Sequence, residues 1–252
     1  MIYKQMFHKA TELGIGITTI GVLVLTGCGG AFTSSATTSD LTVTPMKGKF
    51  ANGTTVLVKL AKDMSLVASG VVGSNGSASI KVPNSATGPF LIEAGLGGDS
   101  YFDESTGTSA TIPAGSIGLR ALVPDATSAR TVGVTALTEI AVGTIEGASG
   151  IAAATANTVL AANASIGNQY GVTDPLAPPS LIDSGSKFTG DTTADNYALV
   201  LAGLAKMAAP GVSALKAIQD MRDDAKDGTV DGRVGTTPLT SLNRDFPIAL
   251  KF

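Results

Sequence analysis

The sequence predicts an α+β chain: an N-terminal antiparallel β-sandwich over residues 41–135, followed by a small helical bundle over 136–252 packed on it. Three observations carry that expectation. Between 41 and 135, short β-branched and aliphatic runs recur roughly every ten residues, separated by Gly, Asn and Pro, which is the spacing of a sandwich. At Thr135 the pattern changes: Thr135-Ala-Leu-Thr-Glu139 offers an N-cap threonine and an acid in the first helical turn. Beyond it, apolar residues fall at helical spacing in successive stretches.

Taken in order, strands are expected at 55–61, 66–72, 77–82, 90–94, 100–102 and 117–123. Gly73-Ser-Asn-Gly76 reads as a hairpin turn, because Asn-Gly supplies the positive φ values that a tight turn requires, and Pro83 stops the strand after it. A helix is expected over 151–170, with Ile151, Thr155, Val159, Ala162, Ile166 and Tyr170 on one face and Gly171 as its end. Thr192-Thr-Ala-Asp195 opens the next helix, which presents Tyr197, Val200, Leu201, Leu204 and Met207 until Pro210-Gly211 breaks it. Residues 213–225 form the last clear helix, with Leu215, Ile218 and Met221 inward. Thr237-Pro-Leu-Thr-Ser241 repeats the form at Thr135, with proline at the favoured first position, and predicts another helix start.

The first residues are organised differently. Lys4, His8 and Lys9 precede an uncharged run from Leu13 to Leu25, closed by small residues, which is the layout of a secretory signal. The run is short of the ~20 residues needed to span a bilayer. Gly27, Gly29 and Gly30 are an odd continuation for a buried helix, so an ordinary signal peptide is the serious alternative. Leu25-Thr26-Gly27-Cys28 resembles the lipobox of bacterial lipoproteins. That resemblance implies a signal peptide over 1–27, cleavage between Gly27 and Cys28, and acylation of Cys28, palmitate included. Cys28 is the only cysteine, and a lone thiol on a secreted domain is a reactive liability that acylation removes. Gly29 follows it in place of the aspartate that retains such proteins at an inner membrane, so the expected location is the outer membrane of the cell envelope. Residues 28–40, rich in Gly, Ser and Thr, are expected to be an acylated flexible tether.

Composition excludes several function classes. Removing Lys4, Lys9 and Glu12 from 17 basic and 20 acidic side chains leaves 15 and 19, a mild negative charge of the wrong sign for nucleic acid. The only histidine, His8, lies in the leader, so the mature chain has no Ser-His-Asp triad, Cys-His pair or histidine-bound zinc. Carboxylate chemistry, a Ser-Lys pair and an oxygen-ligated cation remain open. Asp99, Asp103 and Glu104 flank Tyr101-Phe102 and are either a ligand or Ca²⁺ site at a loop tip or a solvated loop beside two tucked aromatics. Asp223, Asp227 and Asp231 match positions one, five and nine of an EF-hand loop, but Ala225 and Val234 stand where two further ligands belong, so a helix end capped by Gly228 competes with a weak metal site. Ser184-Gly-Ser-Lys187 and Ser213-Ala-Leu-Lys216 fit Ser-x-x-Lys without the companion elements of a serine acylase.

Gly48, the strand Val56 to Leu60, Asn75-Gly76 and the strand from Ile80 to Pro83 together resemble the carboxypeptidase regulatory-like (transthyretin-like) modules of bacterial surface proteins. The resemblance implies a structural or binding unit rather than a catalyst. The expected function is therefore a non-enzymatic envelope lipoprotein that binds or scaffolds at the surface. Its expected partners are the membrane, through the lipid anchor, and an envelope protein or glycan, with no cofactor and no nucleic acid. The alternative is a carboxylate-dependent hydrolase of cell-wall or extracellular polysaccharide, which asks for two acids ~5–9 Å apart across a cleft.

Overall fold

Alternation in sequence builds the sheets. The strand β1 (Thr38–Met46) is followed by β2 (Thr55–Leu60), β3 (Leu66–Val71), β4 (Ala78–Pro83), β5 (Phe90–Leu96), β6 (Ser100–Asp103), β7 (Thr108–Thr111), β8 (Ile117–Val123) and β9 (Arg130–Thr135). Then come α1 (Ala136–Ala148), a 3₁₀ turn at Ile151–Ala153, α2 (Ala156–Tyr170), α3 (Thr193–Lys206), α4 (Ala214–Asp224) and a 3₁₀ turn at Ala225–Asp227, with the short strands β10 (Arg233–Val234) and β11 (Thr237–Pro238) last. The computed structural model describes residues 37–243, and the chain is a mixed α+β fold. The leader, Gly27, Cys28 and most of the expected tether lie outside the described residues.

Two sheets dominate. One has the order β4-β1-β9 and the other β3-β2-β5-β8, while β6 and β7 pair with each other. The expectation of purely antiparallel pairing is corrected at β1–β9, which run parallel from Leu41↔Arg130 to Met46↔Thr135. Parallel neighbours need a long crossover, and here the whole of β2 to β8 supplies it. A second correction concerns the Asn75-Gly76 turn. It forms, with Gly73 N–H donating to Ser77 C=O at 2.9 Å, but β3 and β4 then part and join different sheets. The turn is a corner between sheets, not a hairpin.

Register assigns the faces of the four-stranded sheet. Val56↔Ala94, Val58↔Ile92 and Ile92↔Ala121 put an apolar set on one side. Leu57↔Glu93, Glu93↔Arg120 and Leu91↔Leu122 put charges among leucines on the other. Strand β5 is buried from Phe90 to Gly95, so both of its faces are covered. The charged face is met by helices, as Arg120 pairs with Glu139 of α1.

Strand β8 is the last in its sheet, and a free strand edge exposes unpaired backbone groups. Helix side chains close it. Thr138 Oγ1 of α1 donates to Arg120 C=O (2.9 Å), Asn163 of α2 to Leu122 C=O (3.4 Å), and Gln219 of α4 to Ile117 C=O (2.9 Å). The Glu139 carboxylate accepts from Arg120 N–H at 2.7 Å. Three helices thus each supply a polar side chain to one sheet edge. Helix α1 also lies so close to α4 and the 3₁₀ turn after it that a Cβ on Gly143 would sit 2.1 Å from Arg222 C=O of α4 and one on Gly147 1.8 Å from Lys226 C=O of the turn. Only glycine fits there.

The helix starts at Thr135 and Thr192 occur as expected. The helix expected over 151–170 is interrupted: Thr155, with the helix-poor Thr158, forms a capping box that starts α2 afresh. Gly171 ends it in the left-handed conformation, φ 69°. The helix start expected at Thr237 is corrected, since Thr237 and Pro238 pair with Val234 and Arg233 as β11 and β10. The segment is pinned to the end of α3 by Ala209 N–H on Ser241 C=O and Asn243 N–H on Met207 C=O, so tertiary bonds override a local capping pattern. Residues 38–40, expected to be the end of a tether, instead pair with Pro83, Val82 and Lys81 of β4.

Candidate functional site

The acids singled out in the 99–104 stretch part company. Asp99 Oδ2 accepts from Leu96 N–H (2.8 Å) and Thr55 N–H (3.2 Å), so it staples the β5–β6 turn to the start of β2. Asp103 and Glu104 instead converge on Lys47, whose ammonium lies 2.8 Å from Glu104 Oε2 and 3.5 Å from Asp103 Oδ1. All three side chains are at most 4% exposed. Tyr101 is buried beside them, its ring 5.8 Å from the Lys47 nitrogen and 5.8 Å from the Phe50 ring.

The local sequence explains the arrangement. Gly48 adopts φ +59°, and a Cβ there would fall 1.8 Å from Phe102 C=O, so only glycine lets the chain after β1 lie against β6. Phe102 N–H then donates to Lys49 C=O at 2.8 Å, and Phe50 bridges to Tyr101. This contact carries Lys47 inward over the β6–β7 turn.

Electrostatics separates the two acids. Burial pushes both carboxyls up. For Asp103 the Lys47 charge and the Ser105 hydroxyl and N–H outweigh burial and hold it below the usual carboxylate range. For Glu104 burial wins against the pull of Lys47, and its carboxyl stands above that range. Glu104 Oε1 is buried with no hydrogen-bond partner among the described residues. Burial likewise pushes the Tyr101 phenol up.

Outside this cluster an open cleft of about 380 Å³ is lined by Lys49, Asn52, Ser74, Tyr101, Phe102 and Ser184, among others. It combines hydroxyls, an amide, the charged Lys49 and Asp183 and three aromatic residues, a set suited to a polar ligand with apolar faces.

The C-terminal acids are also engaged separately. Asp223 pairs with Arg222 (2.7 Å) and Lys226 (2.8 Å), whereas Asp227 accepts from Thr229 N–H and Oγ1 within its own turn. Among the described residues no three acids, histidines or cysteines are grouped to hold a metal ion, so Asp223, Asp227 and Asp231 do not form the site their spacing suggested. Their neighbour Asp224, which spacing did not single out, is fully buried and accepts from Gly232 and Arg233 N–H. Burial pushes its carboxyl up. Ser213 of the second Ser-x-x-Lys pattern is the N-cap of α4, with its Oγ accepting from Lys216 N–H.

Sequence reasoning missed Lys47 and the network Arg120, Glu139, Glu146 and Arg222, where Arg120 grips Glu139 at 2.8 Å and Glu146 at 2.7 Å. A lysine directly after an apolar strand, ahead of a glycine, was the available signal for the first. No protein-family model matches the chain, and neither does any curated protein.

Proposed function

We propose that the chain is a lipid-anchored, non-catalytic module of the bacterial envelope that binds or scaffolds at the outer membrane. The observation that carries this reading is the apolar run ending in Leu25-Thr26-Gly27-Cys28, set ten positions ahead of the first strand residue, Thr38. Among the described residues no helix is long and apolar enough to cross a bilayer.

We read the folded part as a two-sheet sandwich with a helical bundle on its outer face. The packing of β3 on β4, and of β5 and β8 on β9, supports two sheets facing each other, since each pair spans both. The pairing of α1 with both α2 and α4 supports the bundle. The cleft beside Phe102 is the surface offered to an envelope glycan or protein.

The hydrolase alternative asks for two acids facing each other across open space. The close-set pairs here are bridged by cations: Asp103 and Glu104 by Lys47, and Glu139 and Glu146 by Arg120. Metabolic labelling with a palmitate analogue tests the anchor. The wild type is expected to be marked and Cys28→Ala unmarked, and equal labelling of the two would overturn the proposal.

A further inference from the structure

We propose that Lys47 and Glu104 condense into a side-chain amide, a covalent cross-link between the segment after β1 and the β6–β7 turn, with Asp103 as the proton carrier. The contact geometry is that of a reactant pair. Lys47 Nζ lies 2.8 Å from Glu104 Oε2, one C–O bond from the carbon it attacks. Asp103 Oδ1 lies 3.5 Å from the same nitrogen, near enough to take its proton. Ser105 N–H and Oγ donate to that oxygen at 2.8 Å and 2.6 Å, which suits Asp103 to remain the anion of the pair. Glu104 Oε1, buried with no hydrogen-bond partner among the described residues, is the oxygen of a carboxyl that ionisation would leave unsupported. The upward push of burial on Glu104, opposite to the net shift of Asp103, agrees with those roles.

The step balances without any further reagent. Asp103 takes a proton from the Lys47 ammonium, and the freed amine attacks Cδ of the protonated Glu104 carboxyl. Asp103 returns that proton to the departing hydroxyl, which leaves as water as the C–O bond breaks. It then takes the second nitrogen proton as the C–N bond becomes an amide. The products are one amide, one water and a protonated Asp103.

Water normally opposes such a condensation. Here the side chains of Lys47, Asp103 and Glu104 are shielded from solvent by the fold, and holding reactants in contact raises their effective concentration by orders of magnitude. A buried ion pair also carries a desolvation penalty, which the neutral amide removes. Gly48 and the Phe102–Lys49 backbone bond hold the partners in register before reaction.

The test is peptide mapping of the purified full-length chain, denatured and digested with trypsin. The expected result is a branched peptide joining Lys47 to Glu104, lighter by one water than its two arms, with no cleavage after Lys47. Lys47→Arg, which keeps the cation but is not expected to form this amide, should give linear peptides only, as should Glu104→Ala. The wild-type map decides even where a variant fails to fold. Linear peptides cut after Lys47 in the wild type overturn the proposal, and a branch to Asp103 overturns the assignment of Glu104.

Discussion

Replacing Glu139 with alanine removes the group that joins strand β8 to the helices. Its carboxylate accepts from Arg120 N–H (2.7 Å), from the Arg120 guanidinium (2.8 Å) and from Arg222 (3.3 Å), and it is 1% exposed. Alanine leaves the Arg120 backbone N–H without its acceptor and the guanidinium with Glu146 alone. Removing one partner of a buried ion pair costs about 3–5 kcal/mol. A domain stable by about 5–15 kcal/mol loses a large part of its margin. Glu139→Gln keeps an oxygen for the N–H and loses the charge, so about 1.5–3 kcal/mol is expected. The assay is urea unfolding followed by circular dichroism. With a slope near 1–3 kcal/mol/M, Glu139→Ala lowers the midpoint by roughly 1–5 M. Lys216→Ala, which breaks the exposed Lys216–Asp220 pair, is the control and is expected to shift it little. A midpoint for Glu139→Ala within error of the control, at unchanged slope, would refute the claim that this carboxylate seals the sheet edge.

Three further outcomes follow from single contacts. Gly147→Ala gains up to about 1 kcal/mol in helix propensity, yet its Cβ meets Lys226 C=O, so overpacking of about 1–3 kcal/mol should win; a raised melting temperature would count against the close contact of α1 with the 3₁₀ turn that follows α4. Tyr197→Phe removes a hydroxyl bonded to Thr135 Oγ1 (2.6 Å) and Pro175 C=O (2.8 Å), with an expected loss of about 1–3 kcal/mol in chemical denaturation; no loss would mean that these buried groups find other partners. Burial alone would raise the Glu146 carboxyl, but Arg120 and Lys226 together hold it below its ordinary 4.5. A depressed folded pKa adds stability that is complete above the unfolded value and lost as pH falls through the folded one. Stability measured downward from pH 5 should therefore fall less steeply in Glu146→Gln than in the wild type, and parallel profiles would contradict that.

Local chemistry was readable in the sequence wherever neighbours along the chain make the interaction. Thr135, Thr192 and Gly171 mark helix ends because a cap bonds within three or four residues of itself. Alternation located β2 to β6 and β8, and the turn at Asn75-Gly76 followed from backbone sterics. The same local logic misled where a distant partner intervened. Thr237-Pro238 has the chemistry of a helix start, but the end of α3 supplies bonds to its segment that the pattern cannot contain. Residues 38–40 have the composition of a tether, but β4 pays their ordering entropy through a backbone ladder.

The candidate cluster divides along the same line. Asp103 and Glu104 stood out by spacing, but Lys47 reaches them only because Gly48 admits a backbone approach between segments more than fifty residues apart. Likewise the parallel β1–β9 pair and the three helix side chains on the edge of β8 are decided by which surfaces meet, a long-range outcome of burial and unpaired backbone groups. The sequence by itself determined the α+β class, the caps and the polar residues available; the tertiary structure decided which of those polar residues face one another, because opposite charges and strand edges find partners in space and not along the chain.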